Sequence, residues 1–162
     1  MRWRRGDRLP DEARVDLGLR PRERVLAAAR STEDGWLAAT DHALVAAGWR
    51  VEWSDVAHAQ WLVDESVLVL DPVPATFPPR RLLITQPGRL PEAVHERVMA
   101  SIVVSRRVAV RGGFVRVVGR HGPSGGLVWQ TVPGAGVDIG DPDVRRAVDG
   151  FLASLRAELG VA

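Results

Sequence analysis

The residues best equipped for chemistry lie in VSRRVAVRGGFVRVVGR, residues 104–120, where apolar and polar positions alternate on either side of Gly112-Gly113. A two-residue glycine turn there closes a β-hairpin. It sets Arg111 opposite Phe114, Ala109 opposite Arg116, Arg107 opposite Val118 and Ser105 opposite Arg120. Val108, Val110, Val115 and Val117 then share one face, and Arg107, Arg111, Arg116 and Arg120 share the other with Phe114 and Val118. No acid falls between residues 101 and 120. Guanidinium groups hold phosphate through paired N–H donors and an aromatic ring stacks on a base, so this face is a candidate polyanion site. The competing reading is a solvated face, or one neutralised by acids from residues 52–71.

Other chemistry finds little support. Cysteine is absent, which removes disulfides, thiolate nucleophiles and cysteine-based zinc sites. His42, His58, His95 and His121 are scattered, and His95-Glu96 lacks the second histidine of a zinc-protease helix. Ser124, in GPSGG, is outside the strand-to-helix context of an activated serine. Neither GRHGPSGG nor PGAG ends as a phosphate-binding loop does, and Asp64-Glu65 and the Asp141, Asp143 pair read as a hairpin turn and a helix cap. No catalytic group, metal ligand set or cofactor is expected. Trp36, Trp49, Trp53, Trp61 and Trp129 fall in predicted strands and are expected to pack in a core, with Trp3 as the exception.

The elements that position the arginines follow from periodicity. Residues 1–22, with Pro10, Pro21 and dense charge, read as an extended or partly ordered arm. Short apolar or alternating runs at 24–30, 36–40, 43–47, 49–53, 57–63, 66–70 and 81–85, separated by polar turns, predict an antiparallel meander. DPVPATFPP, residues 71–79, reads as an edge or loop. A helix is predicted over 91–104, opened by Pro91 and Glu92 and faced by Val94, Val98 and Ile102. After the hairpin, GRHGPSGG at 119–126 reads as a flexible connection and LVWQTV at 127–132 as a third strand. Asp141 and Pro142 then open a C-terminal helix with the stripe Val144, Val148, Phe151, Leu155 and Leu159, ended by Gly160.

The fold class expected is therefore α+β. A β meander with a closing helix spans residues 23–105, and a three-stranded antiparallel sheet with an amphipathic helix spans 106–162, the two sharing one core. The chain of 162 residues carries a formal charge of only +2 despite a pI of 10.7. All 22 basic residues are arginine and no Lys, Tyr or Cys buffers the alkaline range, so the pI reports missing titratable groups and not a strong field. Charge is unevenly spread. Residues 1–30 hold nine Arg against five acids, residues 31–100 five against ten, and residues 101–162 eight against five. No stretch approaches the ~20 apolar residues of a membrane span, and a cytoplasmic location is expected.

The run GWLAATDHALVAAGWRVEWSDVAHAQWLVDESVLVL, residues 35–70, resembles the bacterial pleckstrin-homology-like domain. The resemblance rests on a strand ending in Thr40-Asp41, a following strand with Leu44, and Trp53-Ser54-Asp55-Val56 before the next pair. It covers residues 24–105, and the whole chain looks like uncharacterised actinobacterial proteins. The resemblance implies a binding scaffold. Eukaryotic relatives take phosphoinositides on basic residues of the first strand loop, but here that loop is Ser31-Thr32-Glu33-Asp34-Gly35, whose two acids argue against that ligand. The leading expectation is a non-enzymatic binding or adaptor module that recognises another protein or self-associates, through an exposed strand edge or the arginine face. The alternatives are nucleic-acid or polyanion binding through that face, and a small-molecule or enzymatic role in a pocket between sheets.

Overall fold

The computed structural model describes residues 8–73, 76–122 and 125–161, so the expectations for Trp3 and Ser124 fall outside the described residues. The fold is α+β with antiparallel sheets, and the chain divides into two compact units, Met1–Ser101 and Ile102–Ala162.

In the first unit, β1 (Val25–Ser31), β2 (Gly35–Thr40), β3 (Ala43–Val45) and β4 (Arg50–Glu52) pair in sequence order. A single 3₁₀ turn at Trp53–Asp55 leads into a second sheet of β5 (Val56–Leu62), β6 (Val67–Pro72) and β7 (Arg80–Leu83), again in sequence order. One apolar cluster joins the two sheets and a helix: Ala27, Leu37, Leu44, Val51, Trp53, Leu68, Leu70 and Ile84 bury against Leu90, Val94 and Val98. Trp53 donates its indole N–H to the Thr40 carbonyl at 2.9 Å, so its burial strands no polar group. Trp49 stays half-buried, with its N–H on Asp34 Oδ1 at 3.0 Å and Arg80 over its ring.

Two expectations for this unit need correction. Of the arm expected to be extended or partly ordered, the described residues from Arg8 on hold a short helix, α1 (Asp11–Asp16), where no periodicity was expected. Leu9, Ala13 and Leu17, spaced four apart, bury against Ala28, Ala38, Ala43 and Val45. The alanines of β1 and β2 alternate between this cluster and the main one, so these two strands are covered on both faces and their sequences show no regular polar face. Small side chains let the helix sit close to the sheet. The helix predicted over 91–104 is α2 (Leu90–Ala100), and Ile102 begins a strand. Ser101 ends the helix, its hydroxyl donating to the Val98 carbonyl at 2.6 Å, and the β-branched Ile102-Val103-Val104 that follow favour extended backbone.

The second unit is β8 (Ile102–Val110), β9 (Gly113–His121), β10 (Leu127–Pro133) and α3 (Pro142–Leu159), with β9 central between β10 and β8. Asp141 Oδ1 accepts from the Asp143 amide at 2.8 Å, which caps α3 as its sequence requires. Val144, Val148 and Leu155 of α3 bury against Val104, Val108, Val115 and Val117 of the sheet, with Phe151 and Trp129 half-buried beside them. Leu159 falls outside this core. The expected flexible connection begins later than Gly119, because β9 runs on to His121. A Cβ on Gly119 would lie 2.8 Å from Val104 Cγ1 and 3.0 Å from the Trp129 ring, so this glycine is a packing residue.

Candidate polyanion-binding face

The hairpin of β8 and β9 turns one residue earlier than the glycine pair suggests. Its two-residue loop is Arg111-Gly112, and Gly113 already pairs with Val110. Gly112 takes φ 88°, a left-handed value that only glycine adopts without strain. The loop after β10 also crowds the tip: a Cβ on Gly113 would lie 3.1 Å from Val137 Cγ2.

The expected pairs Arg111–Phe114, Ala109–Arg116, Arg107–Val118 and Ser105–Arg120 are therefore replaced by Ala109–Phe114, Arg107–Arg116, Ser105–Val118 and Ile102–Arg120. For the first three pairs the partner moves by two residues, and an even shift keeps those side chains on their own faces; at Arg120 the partner moves by three, from Ser105 to Ile102, across a bulge between Ile102 and Val104. Val104, Val108, Val115 and Val117 lie under α3. Ser105, Arg107, Phe114, Arg116, Val118 and Arg120 share the other side, continued on β10 by Val128, Gln130 and Val132. Arg107 and Arg116 thus stay on the side opposite the valines that lie under α3, although their cross-strand partners differ from those expected.

The five residues do not behave alike. Arg107, Arg111 and Arg116 are exposed, and Phe114 is 38% exposed. The Arg107 guanidinium carbon sits 4.6 Å from the centre of the Phe114 ring, and Arg116 stands directly across the ladder from Arg107. Phe114 is also held at its other end, its carbonyl accepting from the Gly134 amide at 2.8 Å. Arg120 is 3% exposed, with its Nε donating to Gln130 Oε1 at 3.4 Å. Burial lowers the Arg120 pKa and the positive charge of Arg116 adds to that effect. Arg120 thus leaves the exposed constellation expected from the sequence.

Among the described residues, no ion pair reaches Arg107, Arg111 or Arg116. The acids of residues 52–71 that could have neutralised them are in part engaged elsewhere: Glu52 with Arg50 and Arg20, Glu65 with Arg81, and Asp71 with His58. Like charges directly opposite on neighbouring strands are destabilising, so the Arg107–Arg116 pair is a position where a bound anion would be favourable.

A second charged cluster, in the first unit, has no counterpart in the sequence reading. Arg50 grips Glu23 with two hydrogen bonds of 2.7 and 3.0 Å, Thr40 donates its hydroxyl at 2.6 Å and the Arg20 amide donates at 3.1 Å. Burial pushes the Glu23 pKa up, but the hydrogen bonds from Arg50, Thr40 and the Arg20 amide outweigh it and hold the carboxyl at about 2. Partners 17 and 27 residues apart leave no sequence periodicity to read. With every carboxylate oxygen engaged by the protein, this cluster organises structure and does not present a binding group.

Two open clefts lie in the first unit. One of about 400 Å³ runs beside β5 and α2, lined by Trp61, Leu68, Pro87, Pro91, Glu92 and His95; another of about 380 Å³ is bounded by Arg20, Pro21, Glu23 and His42. Among the described residues, no three His, Asp or Glu converge as a metal site, and no helix is long and apolar enough to cross a membrane. No protein-family model, curated protein or solved structure matches this chain.

Proposed function

We propose that the chain is a non-enzymatic binding module and that its second unit recognises a polyanionic partner through Arg107, Arg111 and Arg116. The observation that carries this reading is the Arg107–Arg116 pair, directly opposed across the ladder, exposed and without an acid partner among the described residues. A folded sheet that holds two such charges together gains when an anion bridges them. The order of elements in the first unit, four strands, then three, then a helix, supports the pleckstrin-homology-like resemblance and with it a scaffold role. In its first strand loop the acids Glu33 and Asp34 oppose a phosphoinositide, and Asp34 accepts the Trp49 indole N–H.

The test is equilibrium binding of inorganic polyphosphate to the full chain across a salt series. Polyphosphate binds, its log affinity falls linearly with log salt, and replacing Arg107, Arg111 and Arg116 together by Ala abolishes it while leaving the unfolding midpoint nearly unchanged. Binding that ignores salt, or that survives the triple replacement, rejects the reading.

A second reading is a protein partner. It is favoured by β5, which lies at the edge of its sheet beside the cleft lined by Trp61 and His95. Affinity capture from native lysate separates the two readings. A partner retained after nuclease treatment and in the triple arginine variant belongs to the protein reading.

A further inference from the structure

The geometry points to single-stranded nucleic acid as the polyanion, with bases stacking on the Arg107–Phe114 pair and phosphates held by Arg111 and Arg116. This inference rests on the polyanion reading above and adds the requirement for a base.

A site for phosphate alone needs only positive charge. Here an aromatic ring occupies the same face as the guanidinium groups, remains 38% exposed, and carries Arg107 over its ring at 4.6 Å. That contact fixes a planar cation on a planar ring, and both surfaces are ones on which nucleobases stack. Phe114 is braced rather than loose. Its own carbonyl is tied to the Gly134 amide, and a Cβ at residue 134 would lie 3.3 Å from the ring atoms Cε1 and Cζ. The ring therefore lies close over a position that carries no side chain.

Two further cations belong to the same hairpin. Arg116 faces Arg107 across the ladder, and Arg111 is in the turn at the end of the same face. A duplex is disfavoured because its bases are already stacked and cannot reach a ring lying on a sheet face. A lipid surface is disfavoured because, among the described residues, Phe114 is the one exposed large apolar side chain between Arg107 and Arg116. With phosphates on Arg111 and Arg116, a single strand should show a salt slope of about −1.4.

The experiment compares three probes on the full chain: a fluorescent poly-dT dodecamer, its duplex with poly-dA, and inorganic polyphosphate of matched charge. The proteins are the parent, Phe114→Ala, and Arg107→Lys, which keeps the charge but removes the planar guanidinium. Both variants are expected to weaken poly-dT about tenfold while polyphosphate changes less than about twofold. The parent is expected to prefer the single strand to the duplex. Equal losses for poly-dT and polyphosphate, or a duplex bound as tightly as the single strand, overturn the base-stacking inference and leave polyanion binding standing. Failure of all three probes to bind overturns both. Arg107→Lys preserves the strand and the charge, so it decides the matter if Phe114→Ala does not fold.

Discussion

Glu23 and Arg50 are an asymmetric pair, and the asymmetry sets what each substitution costs. The Glu23 side chain is 0% exposed and the Arg50 side chain 22%, with Glu52 Oε1 a further 3.1 Å partner for Arg50. Glu23→Gln leaves Arg50 a carboxylate and some water, whereas Arg50→Met leaves a fully buried carboxylate with only Thr40 and one amide. Urea denaturation at neutral pH is expected to show a loss of about 3 kcal/mol for Glu23→Gln and a larger loss for Arg50→Met. The same pair governs acid stability. The folded-state pKa of Glu23 is about 2, below the ordinary 4.5, so its contribution is complete above about pH 4.5 and is lost as pH falls toward 2. Denaturation repeated between pH 6 and about pH 2.5 should show that decline in the parent and a shallower one in Glu23→Gln.

Among the elements, α1 departs most from expectation, and its role can be measured. Six residues cannot hold a helix in isolation, so α1 exists because Leu9, Ala13 and Leu17 bury against the alanines of β1 and β2. Leu17→Ala should cost about 2 kcal/mol by urea denaturation, whereas an undocked arm would show almost no change. The spacing of Leu9, Ala13 and Leu17 was present in the sequence, but Pro10 and the surrounding charge masked it. The hairpin shows the opposite case. Its strands and its two faces were legible from alternation, while its turn was displaced by one residue because two adjacent glycines offer two possible loops and only contacts at the tip select between them.

Across the chain, charge is arranged by unit and not by net value. The first unit contains the acid-rich middle of the sequence, and the sheet of the second carries arginines with no acid from residue 101 to 137. A formal charge of +2 conceals this separation. With no Lys, Tyr or Cys to titrate, electrophoretic mobility should stay flat from about pH 9 to about pH 11, and a slope in that range would show that the arginines are not uniformly charged. Ligand attraction should accordingly depend on salt far more than on pH in that interval.

Local pattern was enough to establish the α+β class, most strand positions, the cap and stripe of α3, and the sorting of Arg107, Phe114 and Arg116 onto one face. Those features depend on neighbours two to four residues apart, which the chain order already specifies. Tertiary structure decided which of the arginines faces water. Arg120 lies on the same face as Arg116 yet is buried, and nothing in the alternation distinguishes the two. It also decided the end of α2 at Ala100, the docking of α1 and the Glu23–Arg50–Thr40 cluster, because burial and pairing there join residues distant in sequence. The candidate face is thus a local pattern trimmed by long-range packing: four arginines were expected on it, and three are exposed.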